Sequence, residues 1–153
     1  MTVKYLYGVG LDNHIWKTVP EHGPWKTFAN DGTNISKIIF NEDIIYGVGT
    51  DNAVYQTSAI ASTSSGGSWT KVAPAKVTNL VYSKGYFFGV GTDHMVWRMT
   101  KPHGEWKKFT GCCVHRIIIV GDILYGIKRV AITTGYRVTK ASGTAFRSVP
   151  RLV

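Results

Sequence analysis

Apolar residues in this chain fall in short clusters of three to five, set apart by turn-forming residues. No stretch shows the sustained 3.6-residue periodicity of an amphipathic helix. The clusters repeat. Tyr7-Gly8-Val9-Gly10 returns as Tyr46-Gly47-Val48-Gly49 and as Phe88-Gly89-Val90-Gly91, with a degenerate fourth copy at Tyr125-Gly126-Ile127. The steps are 39, 42 and 37 residues, a period that points to an array of supersecondary units. Each clear copy is followed by an Asp-led pair (Asp12-Asn13, Asp51-Asn52, Asp93-His94) and then by an apolar-aromatic run. Those runs are Ile15-Trp16-Lys17-Thr18, Val54-Tyr55-Gln56-Thr57 and Val96-Trp97-Arg98-Met99, with a displaced fourth at Gly135-Tyr136-Arg137-Val138.

Beyond a variable linker lies another aromatic segment: Trp25-Lys26-Thr27-Phe28, Trp69-Thr70-Lys71-Val72, Trp106-Lys107-Lys108-Phe109 and Phe146-Arg147-Ser148-Val149. An apolar trio precedes each later Tyr-Gly segment, at Ile38-Ile39-Phe40, Leu80-Val81-Tyr82 and Ile117-Ile118-Ile119. Each unit thus holds four short β-type runs separated by turns such as Asn41-Glu42-Asp43, Ser83-Lys84-Gly85 and Val120-Gly121-Asp122. Four strands in about 40 residues, repeated, predict an all-β fold, a small four-bladed β-propeller. Alternation supports strands: Trp16 and Thr18 fall on one face, Ile15 and Lys17 on the other. The continuous apolar strand is expected to be the one packed on both faces.

The first unit lacks an apolar trio. The tail Val149-Pro150-Arg151-Leu152-Val153 matches Ile35-Ser36-Lys37-Ile38-Ile39 in character, as do Val77-Thr78-Asn79-Leu80-Val81 and Val114-His115-Arg116-Ile117-Ile118. The C-terminal strand is therefore predicted to complete the N-terminal blade, leaving no open strand edge. The blades then span 1–34 plus 149–153, 35–76, 77–113 and 114–148, within one domain. A partial ring completed by oligomerisation is the competing arrangement. The paired glycines of each Gly-Val-Gly share one strand face, where a ring or a neighbouring blade can approach. No helix follows them, so phosphate cradling is not indicated.

Composition narrows the function. The chain has 153 residues, 18 Lys plus Arg against 9 Asp plus Glu, a net charge of +9, and 12% aromatic residues. No apolar run approaches the roughly 20 residues that span a bilayer as a helix, so no membrane insertion is expected. Met1-Thr2-Val3-Lys4-Tyr5 shows no basic region leading into an apolar stretch, so no secretory signal is expected. Cys112 and Cys113 are adjacent and cannot staple distant parts of the fold; they are expected as free thiols, with a redox-active vicinal pair as the alternative. His14, His22, His94, His103 and His115 show no metal-ligand spacing, and no nucleophile, base and orienting group form a motif. No cofactor, no metal and no enzymatic activity are expected. The basic residues are scattered, which makes nucleic acid an unlikely partner.

Two residue sets remain as candidates for ligand contact. Asp12, Asn13, Asp51, Asn52, Asp93 and His94 are turn formers first, but they also offer repeated hydroxyl-binding donors and acceptors. The five tryptophans are candidates for inter-blade packing, and Trp25, Trp69 and Trp106 of the outer strands are those placed to offer a ring to a pyranose. The linkers Val19-Pro20-Glu21-His22-Gly23-Pro24 and Thr100-Lys101-Pro102-His103-Gly104-Glu105 are close copies, each able to line a pocket with the Trp that follows.

The order of apolar trio, turn, Tyr-Gly-Val, Asp-Asn, Val-Tyr-Gln-Thr and Trp-x-Lys resembles the blades of tachylectin-type and tectonin-type β-propeller lectins over essentially the whole chain. The resemblance implies a carbohydrate-binding lectin of recognition type, with several sites binding neutral or N-acetylated sugars on glycans. Several weak sites on one rigid body gain avidity for a glycan-coated surface. The alternative is a non-enzymatic scaffold or protein-interaction propeller whose basic surface meets an anionic partner.

Overall fold

The computed structural model describes residues 5–21, 23–59, 67–73, 77–100, 105–110, 112–129, 136–142 and 145–148, with side-chain environments given as far as Lys128. Among these residues the structure is all-β, with fifteen strands in four antiparallel sheets. The first sheet holds β1 (Leu6–Val9), β2 (Ile15–Thr18) and β3 (Lys26–Phe28) in that order. The second runs β4 (Ile35–Asn41), β5 (Ile44–Gly49), β6 (Val54–Ser58) and β7 (Thr70–Ala73). The third runs β8 (Val77–Ser83), β9 (Tyr86–Gly91), β10 (Val96–Met99) and β11 (Lys107–Thr110). The fourth runs β12 (Val114–Val120), β13 (Ile123–Arg129), β14 (Tyr136–Ser142) and β15 (Ala145–Ser148). Each sheet is a meander of sequence-adjacent strands. Among the described residues no helix is long and apolar enough to cross a membrane.

The chain divides into two compact units, Met1–Pro74 and Ala75–Val153, each holding two of the sheets. In the first unit Ile15, Phe28, Ala29, Ile35, Ile45 and Trp69 form a buried cluster edged by Tyr7, Val9, Ile38, Tyr55 and Ala59. Backbone bonds reinforce it: the Ile35 N–H donates to the Asn13 carbonyl at 2.8 Å, and Thr50 to that of Asn34 at 3.0 Å. In the second unit the cluster is Val90, Val96, Val114, Ile117 and Leu124, edged by Val81, Phe88, Phe109 and Ile119. Here Val114 donates to the His94 carbonyl at 3.0 Å, and the Ile117 N–H to the buried Asn79 Oδ1 at 2.9 Å. A register shift recurs between Ile35 and Lys37, Val77 and Asn79, and Val114 and Arg116, so the repeat extends to its irregularities.

Two expectations need correction. The continuous apolar strand is not the most enclosed one: in β4, Ile38 and Ile39 are half-buried and Phe40 is exposed, whereas Ile45 through Gly49 of β5 are buried. The reason is position, since β4 ends its sheet while β5 has a hydrogen-bonded neighbour on each side. The two cysteines are not free thiols: Cys112 and Cys113 are joined by a disulfide, with Cα atoms 3.7 Å apart and Cys113 at a positive φ of 81°. The tail strand foreseen at Val149–Val153, together with His22, Lys76, Gly111 and residues 101–104, lies outside the described residues.

Candidate functional site

The Asp-led pairs form three copies of one turn. Asp12 Oδ1 accepts the His14 N–H at 3.1 Å and the Trp16 indole N–H at 3.2 Å. Asp93 Oδ1 accepts the Met95 N–H at 3.0 Å, and its carboxylate takes the Trp97 indole N–H at 3.3 Å. In the middle copy, Asp51 accepts the Ala53 N–H at 3.0 Å and the Tyr55 hydroxyl at 2.8 Å, with Lys71 Nζ at 3.3 Å. The next residue takes the left-handed conformation that Asn tolerates: φ is 61° at Asn13, 63° at Asn52 and 61° at His94. The ring then lies over the second glycine of the repeat: a Cβ at Gly10 would sit 2.6 Å from Trp16 Nε1, and one at Gly49 would sit 2.7 Å from Tyr55 Cε2. Hydrogen bonds from the His14 amide and the Trp16 indole hold the Asp12 carboxyl below its usual range. For Asp51, burial acts in the opposite sense, but donation from Ala53, Tyr55 and Lys71 outweighs it. These carboxylates serve their own turns, and the carbonyls of Asn13 and His94 anchor the sheet that follows.

The three outer tryptophans lie over the first glycine of each repeat, in very different exposure. Trp69 is 7% exposed within the core, its ring 3.2 Å from where a Gly47 Cβ would stand, its backbone N–H donating to Asp31 at 2.8 Å. Trp106 covers Gly89 at 3.1 Å, with its indole N–H buried and lacking a hydrogen-bond partner. Trp25 rests on Gly8 at an ordinary 3.6 Å and is 46% exposed. Of the three, only Trp25 offers a broad ring surface.

Around the segment that links β2 to β3 the structure opens a cleft of about 380 Å³, lined by Tyr5, Lys17, Thr18, Val19, Gly23, Pro24 and Lys26. Val19, Gly23 and Pro24 of the linker line it, but the Trp25 expected with them packs over Gly8 instead, on the face that Gly8 shares with Trp16 and Thr27. The Thr18 hydroxyl donates to the Gly23 carbonyl at 2.8 Å and folds the linker back on β2. Pairing of β2 with β3 sets Lys17 opposite Lys26, and pairing with β1 sets Lys17 opposite Tyr7. All three therefore share one face of the sheet. Lys17 Nζ lies 3.9 Å from the Tyr5 ring centroid and 5.1 Å from that of Phe28, a cation held over aromatic faces. The third sheet repeats this with other residues: the Arg98 guanidinium lies 4.8 Å from Tyr86 and 5.4 Å from Phe109. Tyr5, Lys17 and Lys26 were not singled out by the repeat logic. The signal that finds them is the strand register, which aligns Lys17 with Arg98 and Tyr5 with Tyr86 across the repeat. Among the described residues no group of three or more His, Cys, Asp or Glu side chains converges on a metal site.

No family model matches the chain, and no curated protein matches it in sequence. Solved structures do resemble it. The N-terminal domain of Nup159 aligns with a TM-score of 0.60 and 10% identity, over 94% of this chain and 46% of that one. The computationally designed Ika8 protein aligns at 0.59 and 10%, over 95% of this chain and 46% of its own. A third, a Saccharomyces cerevisiae Dbp5 variant bound to Nup159, Gle1, IP6 and ADP, aligns at 0.57 and 9%, over 94% and 46%. The chain thus spans under half the length of these solved chains. At such identity the likeness establishes the fold alone. The fold is that of a small β-propeller.

Proposed function

We propose that this protein is a non-catalytic binding propeller whose ligand is a glycan, engaged in the cleft lined by Tyr5, Lys17 and Lys26. The observation that carries the reading is the pairing of exposed aromatic surface with cationic donors. Tyr5 is 47% exposed at the cleft wall, with Lys17 and Lys26 at hand to donate to hydroxyls. A sugar ring stacks on such an aromatic face while flanking donors bind its hydroxyls. The blade order that resembles tachylectin-type and tectonin-type lectins supports the same reading. The test is a glycan array followed by retention on the best immobilised sugar. Elution by the free sugar supports the proposal, and absence of any sugar-reversible binding removes it.

A second reading, a protein-interaction scaffold, is favoured by the likeness to Nup159, which one of the solved structures describes bound to Dbp5. Capture of a protein partner that free sugar leaves undisturbed would favour this scaffold instead.

A further inference from the structure

We infer that the glycan is acidic, and that its carboxylate or sulfate sits between Lys17 and Lys26 in the first unit and between Arg98 and Lys107 in a matched site of the second. The inference rests on the glycan reading and adds the charge of the ligand and a second site. Lys17 and Lys26 are direct cross-strand partners, as are Arg98 and Lys107. Like charges placed opposite one another weaken a sheet. Among the described residues no carboxylate pairs with any of these four. Glu21, the acid of the first linker, does not line the cleft. The second sheet puts neutral residues at the same place, Gln56 opposite Thr70. Ile44 there replaces the ring of Tyr5 or Tyr86. Cation pair and aromatic ring thus occur together in the first and third sheets, whereas in the fourth Lys140 stands opposite Arg147 with Ile123 at the place of the ring. Packing alone gives no reason for the unneutralised pair, because Gln56 and Thr70 build the same strand contact without it.

The chemistry selects the ligand class. Two ammonium groups, or an ammonium and a guanidinium, make charge-assisted hydrogen bonds to an oxyanion, stronger than those to a neutral hydroxyl. The rings of Tyr5 and Tyr86 then face the attached pyranose. The cleft volume suits one or two sugar units. Single-stranded nucleic acid also uses rings and cations, but it needs a basic groove that follows several phosphates, and each site here has only two cations.

The test compares N-acetylglucosamine 6-sulfate with N-acetylglucosamine by calorimetry on the full chain. The sulfated sugar is expected to bind about tenfold more tightly. Lys17→Met with Lys26→Met keeps the apolar stems over the rings and removes the charges. Adding Arg98→Met and Lys107→Met should abolish the preference, while Lys17→Arg with Lys26→Arg retains it, with circular dichroism confirming folded protein throughout. Equal binding of the two sugars, or an unchanged preference in the fourfold variant, overturns this inference and leaves the glycan reading standing. Inorganic sulfate competing as well as the sulfated sugar, or an oligonucleotide binding in place of any sugar, overturns it as well. No binding of any sugar removes the glycan reading itself.

Discussion

The Asp31 carboxylate accepts the backbone N–H of Trp69, 38 positions further along the chain, at 2.8 Å, tying the linker after the first sheet to the residue that leads into β7. It also takes the Thr33 N–H at 3.0 Å. One side chain thus organises its own turn and fixes the approach of the most buried tryptophan.

Burial opposes ionisation of Asp31, but donation from the Thr33 and Trp69 amides outweighs it and its pKa lies below the usual carboxylate value. A group depressed in the folded state contributes stability above its unfolded-state value, near 3.9, and that contribution disappears as pH falls through the folded value. Asp31→Ala is expected to cost about 0.5–1 kcal/mol at pH 6, at the low end for a charge-assisted bond because the carboxylate is largely solvated. The difference from the parent in urea midpoint should shrink as the pH is lowered past about 4.

The two first-glycine contacts predict unequal outcomes for one substitution. At Gly47 a Cβ would stand 2.8 Å from Ile35 Cγ2 and 3.2 Å from the Trp69 ring, both inside the core. Gly47→Ala should therefore destabilise by about 1–3 kcal/mol. Gly8→Ala meets only Trp25, at 3.6 Å, and should shift the denaturation midpoint by much less.

Asp93→Ala frees the Met95 amide and the Trp97 indole together. The expected loss is about 0.5–1 kcal/mol, with a change in tryptophan emission as the Trp97 N–H turns to solvent. Unchanged emission and stability would show that the turn does not need the carboxylate.

Reduction of the Cys112–Cys113 bond should leave the thermal midpoint nearly unchanged, because a link between neighbours closes no long loop of the unfolded chain. Mass spectrometry after alkylation checks the redox state, and paired melting curves check the stability.

Much of the architecture was legible because the repeat is written in local chemistry. Period-two alternation, glycines that admit a ring, and Asp followed by a residue that tolerates positive φ each act within a few residues. The sheets run in the strand order the repeat predicts, and the glycine pairs do receive rings. Sequence logic ranked the tryptophans alike; burial separated them, leaving Trp25 open and placing Trp69 in a core with Ile35 and Ile45. The edge position of β4 likewise overrode the apolar reading of its trio.

The amino-acid order alone determined the strands, their succession within each repeat and the turns between them, since spacing and residue type govern these over short range. Only the tertiary structure decided which cations face rings and which face each other. Lys17 and Lys26 are nine positions apart, and Arg98 and Lys107 likewise, yet their meeting depends on strand register across a variable linker. Register is a property of paired strands rather than of either segment, which is why the cleft emerged only when the sheets were assembled.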